Sequence, residues 1–407
     1  MAAQRKFNPG LFDLPQDIVR DLPFELVDRW AKSDQTPQTA LEILEATKVR
    51  GTSVSSDSAG LTRLSQSKGL VEILALINRP KEIVHGYGKA LGGRPVGVWA
   101  ADNTQMFYPE SIPTHDIAAM LLGVQERVTN ECQIKIGLGA HHGEFYSIAG
   151  GLYGVEADAI EEVAENETEG GEIVISSTMK SNLPDGHGFT LHSRGDIHES
   201  EFSVFRLADG PRWHPSGELD HVYPIPYSQE FYRELCAVGR GEAPHLEVEQ
   251  RYAKHKVVVL VERTHLESSS TQAALLDDLA SSVLMRKLSL PMIKGGKEIK
   301  IAGTVAIFIF DDVKQAIPFA LEYRAALREL GIESRLGIDR GPVLLFDLPT
   351  GGHDIAGMPV NIASKMAQDY GEFGKIYVTK SALDSAPQGF TPVTLVASGV
   401  SIDAYQN

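Results

Sequence analysis

The chain has 407 residues, 43% hydrophobic and 23% charged, with a formal net charge of −16. That length exceeds one ordinary core and predicts two domains. The composition is that of a globular protein, and so acidic a balance excludes a general binder of nucleic acid or acidic membrane, both of which are polyanionic.

The two cysteines, Cys132 and Cys236, are too few and too far apart for a disulfide framework or a zinc-ligand spacing. No apolar run approaches the roughly 18–20 residues that span a bilayer, and Met1 to Asn8 lacks the apolar core of a signal peptide. The expectation is a cytoplasmic chain with no membrane span and with reduced thiols.

Residues 1–50 predict a helical extension. Leu14 to Val19 starts one helix, with Pro15 near its first turn. Phe24, Leu26, Val27 and Trp30 form an apolar stripe, and Thr39 to Lys48 forms a further helix after the break at Ser33 to Pro37. No chemistry shows in this segment; it would brace the main body or dock a regulatory partner.

A first domain is predicted over 51–207. Thr52 to Ser56 is a strand, and helical patterns run to about Leu91. A hairpin follows, from Pro95 to Tyr108 with Asp102 at its turn. Asp116 to Val128 is helical, Ile134 to Ala140 a buried strand, and Ala157 to Glu165 a helix. Glu172 to Ser176 is a strand, with a closing pair at Phe189 to Leu191 and Phe202 to Leu207. Residues 208–250, with four prolines between Pro211 and Pro226, read as a linker, within which Ser228 to Val238 suits a short helix.

From 251 to 407 the plan repeats. Lys256 to Val261 is a strand and Thr271 to Leu288 a helix. Glu298 to Ala302 and Val305 to Phe310 form a hairpin, Val313 to Leu330 a helix, and Ser334 to Ile338 a strand. Asp57 and Asp102 lie 45 apart, where Glu262 and Thr304 lie 42 apart; Asp102 to Asp158 is 56, where Thr304 to Asn361 is 57. The element order predicts an α+β protein built from two ferredoxin-like α/β sandwiches.

The densest stretch is Asp354 to Met366. Asn361 and Lys365 sit four apart, so a helix brings an amide and a cation onto one face. Val360, Ala363 and Met366 face the other way, and Pro359 suits the first turn. In the first copy, Asp57 after a strand and Asp102 at a hairpin turn offer two carboxylates of the kind Mg²⁺ takes, and two metals would activate a hydroxyl and clamp a triphosphate. The turn from Ser58 through Gly60 to Thr62 can turn backbone N–H groups to phosphate. His141-His142-Gly143 follows a strand with no acid or third ligand at a set spacing, and reads as loop or core histidine rather than a metal site.

The Asp354 to Lys365 run, Asp followed by Val-Asn-x-x-x-Lys, resembles the substrate-binding half of class III nucleotidyl cyclases, with Lys365 in place of the family's Arg. Lys300-Ile301-Ala302-Gly303 resembles its Lys-x-x-Gly run. Asp57-Ser58-Ala59-Gly60-Leu61-Thr62 resembles its Asp-x-x-Gly-Phe-Thr element, with Leu61 for Phe, and Ala101-Asp102 resembles its Gly-Asp turn. The resemblance covers about 50–206 and 250–390.

It implies a cyclase-homology pseudo-dimer within one chain. Asp57 and Asp102 would hold two Mg²⁺ or Mn²⁺ ions, with Ser58 and Gly60 at the phosphates. Lys300 and Asp354 would read the adenine edge of ATP, Asn361 would orient the ribose, and Lys365 would take phosphate charge. Adenine offers the N1 acceptor and 6-amino donor that this pair matches, and guanine reverses them. The first copy has Gly151, Asp158 and Glu162 where the second has Asp354, Asn361 and Lys365, so paired copies would complete one composite site and leave a dead one. The implied activity is adenylyl cyclase, ATP to cyclic AMP and pyrophosphate; the alternative is a pseudo-cyclase that binds a nucleotide or regulates.

Overall fold

The computed structural model describes residues 7, 9–12, 22–59, 64, 68–97, 104–166, 168–196, 203–217, 219, 227–347, 352–383, 385–397 and 400–407. The chain divides into two compact units, one of residues 44–249 and one of residues 1–43 with 250–407. Leu14 to Val19 lies outside the described residues.

Two helices come first, α1 (Phe24–Lys32) and α2 (Pro37–Leu44). The first unit then builds a sheet from β1 (Lys48–Ser58), β2 (Arg94–Pro95), β3 (Thr104–Pro109), β4 (Ile136–Ile148), β5 (Gly151–Tyr153), β6 (Ile173–Ser176), β7 (Thr190–Asp196) and β8 (Ser203–Asp209). Its order is β2-β3-β1-β4-β6-β8-β7, with β5 paired to β4. Among the described residues only the β4–β6 pairing within it is parallel. Between the strands run α3 (Leu70–Ala90), α4 (Thr114–Glu131), α5 (Val155–Asn166) and the short α6 (Ser177–Ser181). Val54, Met106, Leu138, Ile173 and Ile175 pack against Ile83, Tyr87, Met120 and Leu121 of α3 and α4, which fixes those helices on one face. Residues 229–252, inside the predicted linker, form α7 (Gln229–Gly239) and α8 (His245–Tyr252), and α7 packs on α3.

Two strand expectations change in extent. Residues 48–50 begin β1 rather than end a helix, because the helical run stops at the short 3₁₀ turn Glu45–Thr47. Of the two readings of His141 and His142, loop or core, the structure shows the core: both lie inside the 13-residue β4, which runs on past Ala140. Both are buried there, His141 against the Thr178 hydroxyl at 3.1 Å and His142 against that of Thr52 at 3.1 Å. The strand is expected to Ala140; its continuation was hidden by Gly143 and the polar pair before it, since a glycine weakens a strand interior.

The second unit's sheet has β9 (Lys254–Arg263), β10 (Gly296–Ala302), β11 (Val305–Phe310), β12 (Ser334–Asp347), β13 (His353–Ala356), β14 (Ile376–Thr379), β15 (Thr391–Ala397) and β16 (Val400–Gln406). It runs β10-β11-β9-β12-β14-β16-β15 with β13 on β12, the same path as the first sheet. Its helices are α9 (Thr271–Met292), α10 (Val313–Glu329) and α11 (Met358–Ser364). Val257, Val259 and Val261 alternate inward onto Phe319, Ala320 and Tyr323 of α10, and Val258 and Leu260 face the other way onto Ala363. Both faces of β9 are covered, which is why its sequence is a continuous apolar run. α1 docks on α9 within this unit: Trp30, 1% exposed, donates its indole N–H to Asp277 Oδ1 at 2.9 Å. Each unit is thus a mixed sheet with flanking helices, the α+β class.

One glycine sets the distance between sheet and helix in the second unit. A Cβ on Gly337 of β12 would stand 2.0 Å from the carbonyl oxygen of Ala363 in α11. Backbone cannot yield as a side-chain tip can, so Gly337→Ala is expected to destabilise this unit by roughly 2–4 kcal/mol, read as a lowered thermal midpoint. Gly331→Ala, whose Cβ meets nothing within 4 Å but whose φ is +76°, is expected to cost about 1–2 kcal/mol by strain alone.

Candidate functional site

In the second unit four of the predicted residues gather around β10, β13 and α11. Lys300 follows a register shift in β10, between Glu298 and Lys300, and Asp354 lies on β13 opposite Phe346. The shift re-aims the side chain that follows it. Lys300 Nζ stands 3.8 Å from Asp354 Oδ1, with the Lys300 side chain 22% exposed and that of Asp354 7%. Asp354 Oδ1 also accepts the backbone N–H of Ile355 at 2.9 Å, which holds the carboxylate in place.

Gly357 turns the chain from β13 into α11. Its φ is +150°, and a Cβ there would stand 2.7 Å from the Pro342 carbonyl oxygen. Pro359 occupies the first turn, where its missing N–H removes no helical bond. Lys365 donates its N–H to the Asn361 carbonyl, so the two side chains rise from one face. Asn361 is exposed, Ala363 and Met366 are buried, and Lys365 Nζ lies 3.7 Å from Asp369 Oδ2. From Lys365 to Asp369 the helix widens into a π turn, a local departure that often accompanies function.

Arg335 is a residue the sequence reading passed over. Its Nη2 donates to the Gln368 carbonyl at 2.6 Å and its Nη1 to that of Gly371 at 2.7 Å, while Nε donates to the Glu262 carboxylate. Its guanidinium lies 4.7 Å from the Phe373 ring centre. It therefore caps the end of the π turn, satisfying carbonyls that a helix terminus leaves open. Glu262, which stands at a metal position by repeat alignment, is engaged by this arginine. The sequence signal was a cation in the second place of a strand, just ahead of the apolar run Leu336 to Ile338.

The Gly303-Thr304 hairpin is held by Arg263. Its Nη2 bonds the Gly303 carbonyl at 3.1 Å and meets Asp278 Oδ1 at 2.9 Å, with the Arg263 side chain fully buried. Asp339 of β12, 6% exposed, accepts the Thr379 hydroxyl hydrogen. Burial raises its carboxyl above the ordinary aspartate range. A carboxyl raised in the folded state stays protonated there while the unfolded chain ionises. Stability is therefore lost as pH climbs from the unfolded value to the folded one. Asp339→Asn, which keeps an acceptor for Thr379, is expected to raise the thermal midpoint at neutral pH, with the gain vanishing below about pH 4.

In the first unit the described part of the site is smaller. Asp57, half-buried, and Ser58, 3% exposed, end β1 opposite Gly137 and Ile136. Ser58 Oγ has no hydrogen-bond partner among the described residues. Gly60 and Asp102 lie outside the described residues. Successive strand side chains point to opposite faces, so Asp57 alone is the hard-oxygen donor described here, a carboxylate that suits Mg²⁺ or Mn²⁺ with remaining ligands from phosphate. No group of three or more His, Cys, Asp or Glu residues suited to a metal occurs among the described residues. Asp158 of α5 is exposed and Glu162 half-exposed, as acids on a solvated helix face.

No family model and no curated protein matches the chain. Among solved structures, it is similar to the adenylyl cyclase CyaB from P. aeruginosa at 18% identity and TM-score 0.34, over 42% of this chain and 98% of that one. It is similar to an adenylate/guanylate cyclase/hydrolase from Silicibacter pomeroyi at 24% identity and TM-score 0.30, over 38% and 97%. It is also similar to the guanylyl cyclase domain of the RhoGC fusion protein from the aquatic fungus Blastocladiella emersonii at 15% identity and TM-score 0.34, over 39% and 97%. Among the described residues no helix is long and apolar enough to cross a membrane.

Proposed function

We propose that the chain is an adenylyl cyclase, converting ATP to cyclic AMP and pyrophosphate, with its groups divided between the two units. The observation that carries the reading is the pairing of Lys300 with Asp354 at 3.8 Å, next to the helix that bears Asn361 and Lys365 on one face. A half-buried donor beside a buried acceptor matches the edge of adenine, and a site built to bond one purine edge rejects the reversed one strongly. The identical strand order of the two sheets supports treating 51–207 and 251–407 as copies of one plan.

Asn361, exposed on the first turns of α11, has an amide free to orient a ribose ring. Lys365 supplies positive charge as it builds up on the phosphates. Asp57 and Asp102, with Ser58 and Gly60 at the adjacent turn, would hold two Mg²⁺ or Mn²⁺ ions. Bound there, the metals supply the acidity that frees the ribose 3′-hydroxyl and the charge that steadies the triphosphate. The complementary losses favour one working site: the first copy has acids at the Asn361 and Lys365 positions, and in the second Glu262 is already bonded to Arg335.

The test is cyclic AMP formation by the purified full chain with Mn²⁺ and ATP, and with GTP as the competing substrate. Product from ATP and none from GTP is the expected result. A second reading, a nucleotide-binding pseudo-cyclase with the N-terminal helices as its docking element for a regulatory partner, is favoured by Lys365, a point charge where a forked guanidinium suits the chemistry better. Tight ATP binding with no product over hours would select it.

A further inference from the structure

We infer that Arg335 is a positioning residue for Lys365, anchored for that task by Glu262, on the reading that Lys365 takes the phosphate charge. The first observation is strand register. β1 and β9 hold the same place in their two sheets, as do β4 and β12. In the first unit Asp57 lies opposite Gly137; in the second Glu262 lies opposite Arg335. Residues opposite one another in an antiparallel pair share a face at close range. The aligned carboxylates therefore face bare backbone in one copy and an arginine in the other. The first copy has no room for a side chain there, since a Cβ on Gly137 would stand 1.8 Å from Thr168 Oγ1.

The second observation is what the guanidinium holds. Nε donates to Glu262, Nη2 to the Gln368 carbonyl at 2.6 Å and Nη1 to the Gly371 carbonyl at 2.7 Å, with the Phe373 ring centre 4.7 Å away. The Arg335 and Glu262 side chains are 17% and 16% exposed, so little water competes for these bonds. A planar fork reaches three acceptors at fixed angles, which an ammonium does not.

The segment it grips is the one that carries Lys365. Regular helix runs from Met358 to Ser364, and the π turn begins at Lys365 itself and ends at Asp369. Gln368 lies inside that turn and Gly371 two residues beyond it. The chain folds back closely there, for a Cβ on Gly371 would stand 2.5 Å from the Met366 carbonyl oxygen. A π turn is rare and needs such outside support. Holding its carbonyls fixes the angle at which Lys365 leaves the helix, with Asp369 Oδ2 3.7 Å from its Nζ. Released, the turn relaxes toward α spacing and Lys365 rotates with it.

The experiment compares Arg335→Gln and the milder Glu262→Gln with the unaltered full chain. With Mn²⁺ and ATP, Arg335→Gln is expected to lower kcat for cyclic AMP by roughly 10–100-fold. KM for ATP should stay within about twofold, because Lys300 and Asp354 are set by β10 and β13, to which Arg335 makes no hydrogen bond. In a Lys365→Gln background Arg335→Gln is expected to add no further loss, whereas a merely structural role would give the same loss in both backgrounds. Two readouts need no turnover. Amide hydrogen exchange over 365–373 is expected to quicken about tenfold in Arg335→Gln with β9 unchanged, and acetylation of Lys365 by acetic anhydride to rise several-fold. Glu262→Gln should move each readout the same way by a smaller factor, and it decides the matter if Arg335→Gln does not fold. An unaltered chain that makes no cyclic AMP would remove the cyclase reading and leave exchange and acetylation to decide the positioning role. Exchange or acetylation unmoved by both substitutions, or equal losses of kcat with and without Lys365, would overturn it.

Discussion

Asp57→Ala is expected to lower cyclic AMP formation from Mn²⁺ and ATP by about a thousandfold or more, with the thermal midpoint nearly unchanged. The physical reason is position. Asp57 stands near the end of β1, half-buried, just past the strand's fully buried run. A carboxylate there contributes little apolar packing, so its removal should spare the fold. On the proposed reading it removes a ligand from the metals that acidify the ribose hydroxyl. Asp57→Asn should fall almost as far, because a neutral amide oxygen holds a divalent cation weakly. Loss of activity with a matching loss of thermal midpoint would point instead to a structural role, and an unchanged rate would remove Asp57 from the chemistry.

Lys365→Arg is the second large effect and has the opposite sign. Product formation is expected to rise by about 10²–10³-fold, chiefly in kcat, since a planar fork bonds two phosphate oxygens where an ammonium offers a point charge. The backbone should accept the change. Lys365 is 21% exposed by side chain, and its Asp369 partner at 3.7 Å can pair with either cation. The same variant separates the two functional readings. A slow enzyme becomes faster; a pseudo-cyclase held silent by this one residue becomes active from a zero baseline. A rate unchanged in both cases would mean that Lys365 does not face the phosphates.

Much of the fold was legible because its elements carry strong local signals. Val305 to Phe310, Val313 to Leu330 and Thr271 to Leu288 are strands and helices within a few residues of expectation, since each combines apolar periodicity with a clear cap or breaker. Ser270 and Asp312 do cap their helices, accepting backbone N–H groups of Ala273 and Lys314. β4 was less legible. Its first part, to Ala140, reads from the sequence, but the histidine pair and Gly143 mask the rest, which pairing to β1 continues to Tyr146. The π turn at Lys365 was illegible, because it depends on Arg335 reaching across from β12 to hold the Gln368 and Gly371 carbonyls.

What the sequence determined by itself was the chemistry on offer: acids in the first copy, an amide and cations in the second, at spacings that repeat. Those are local properties of residue type and interval. What only the tertiary structure decided was company. Lys300 and Asp354 are 54 residues apart in the chain and 3.8 Å apart in space. Glu262 is bonded to Arg335, and Trp30 donates to Asp277 across 247 residues of chain. Partners of that kind are chosen by strand register and helix packing, which join distant segments and which no local pattern records.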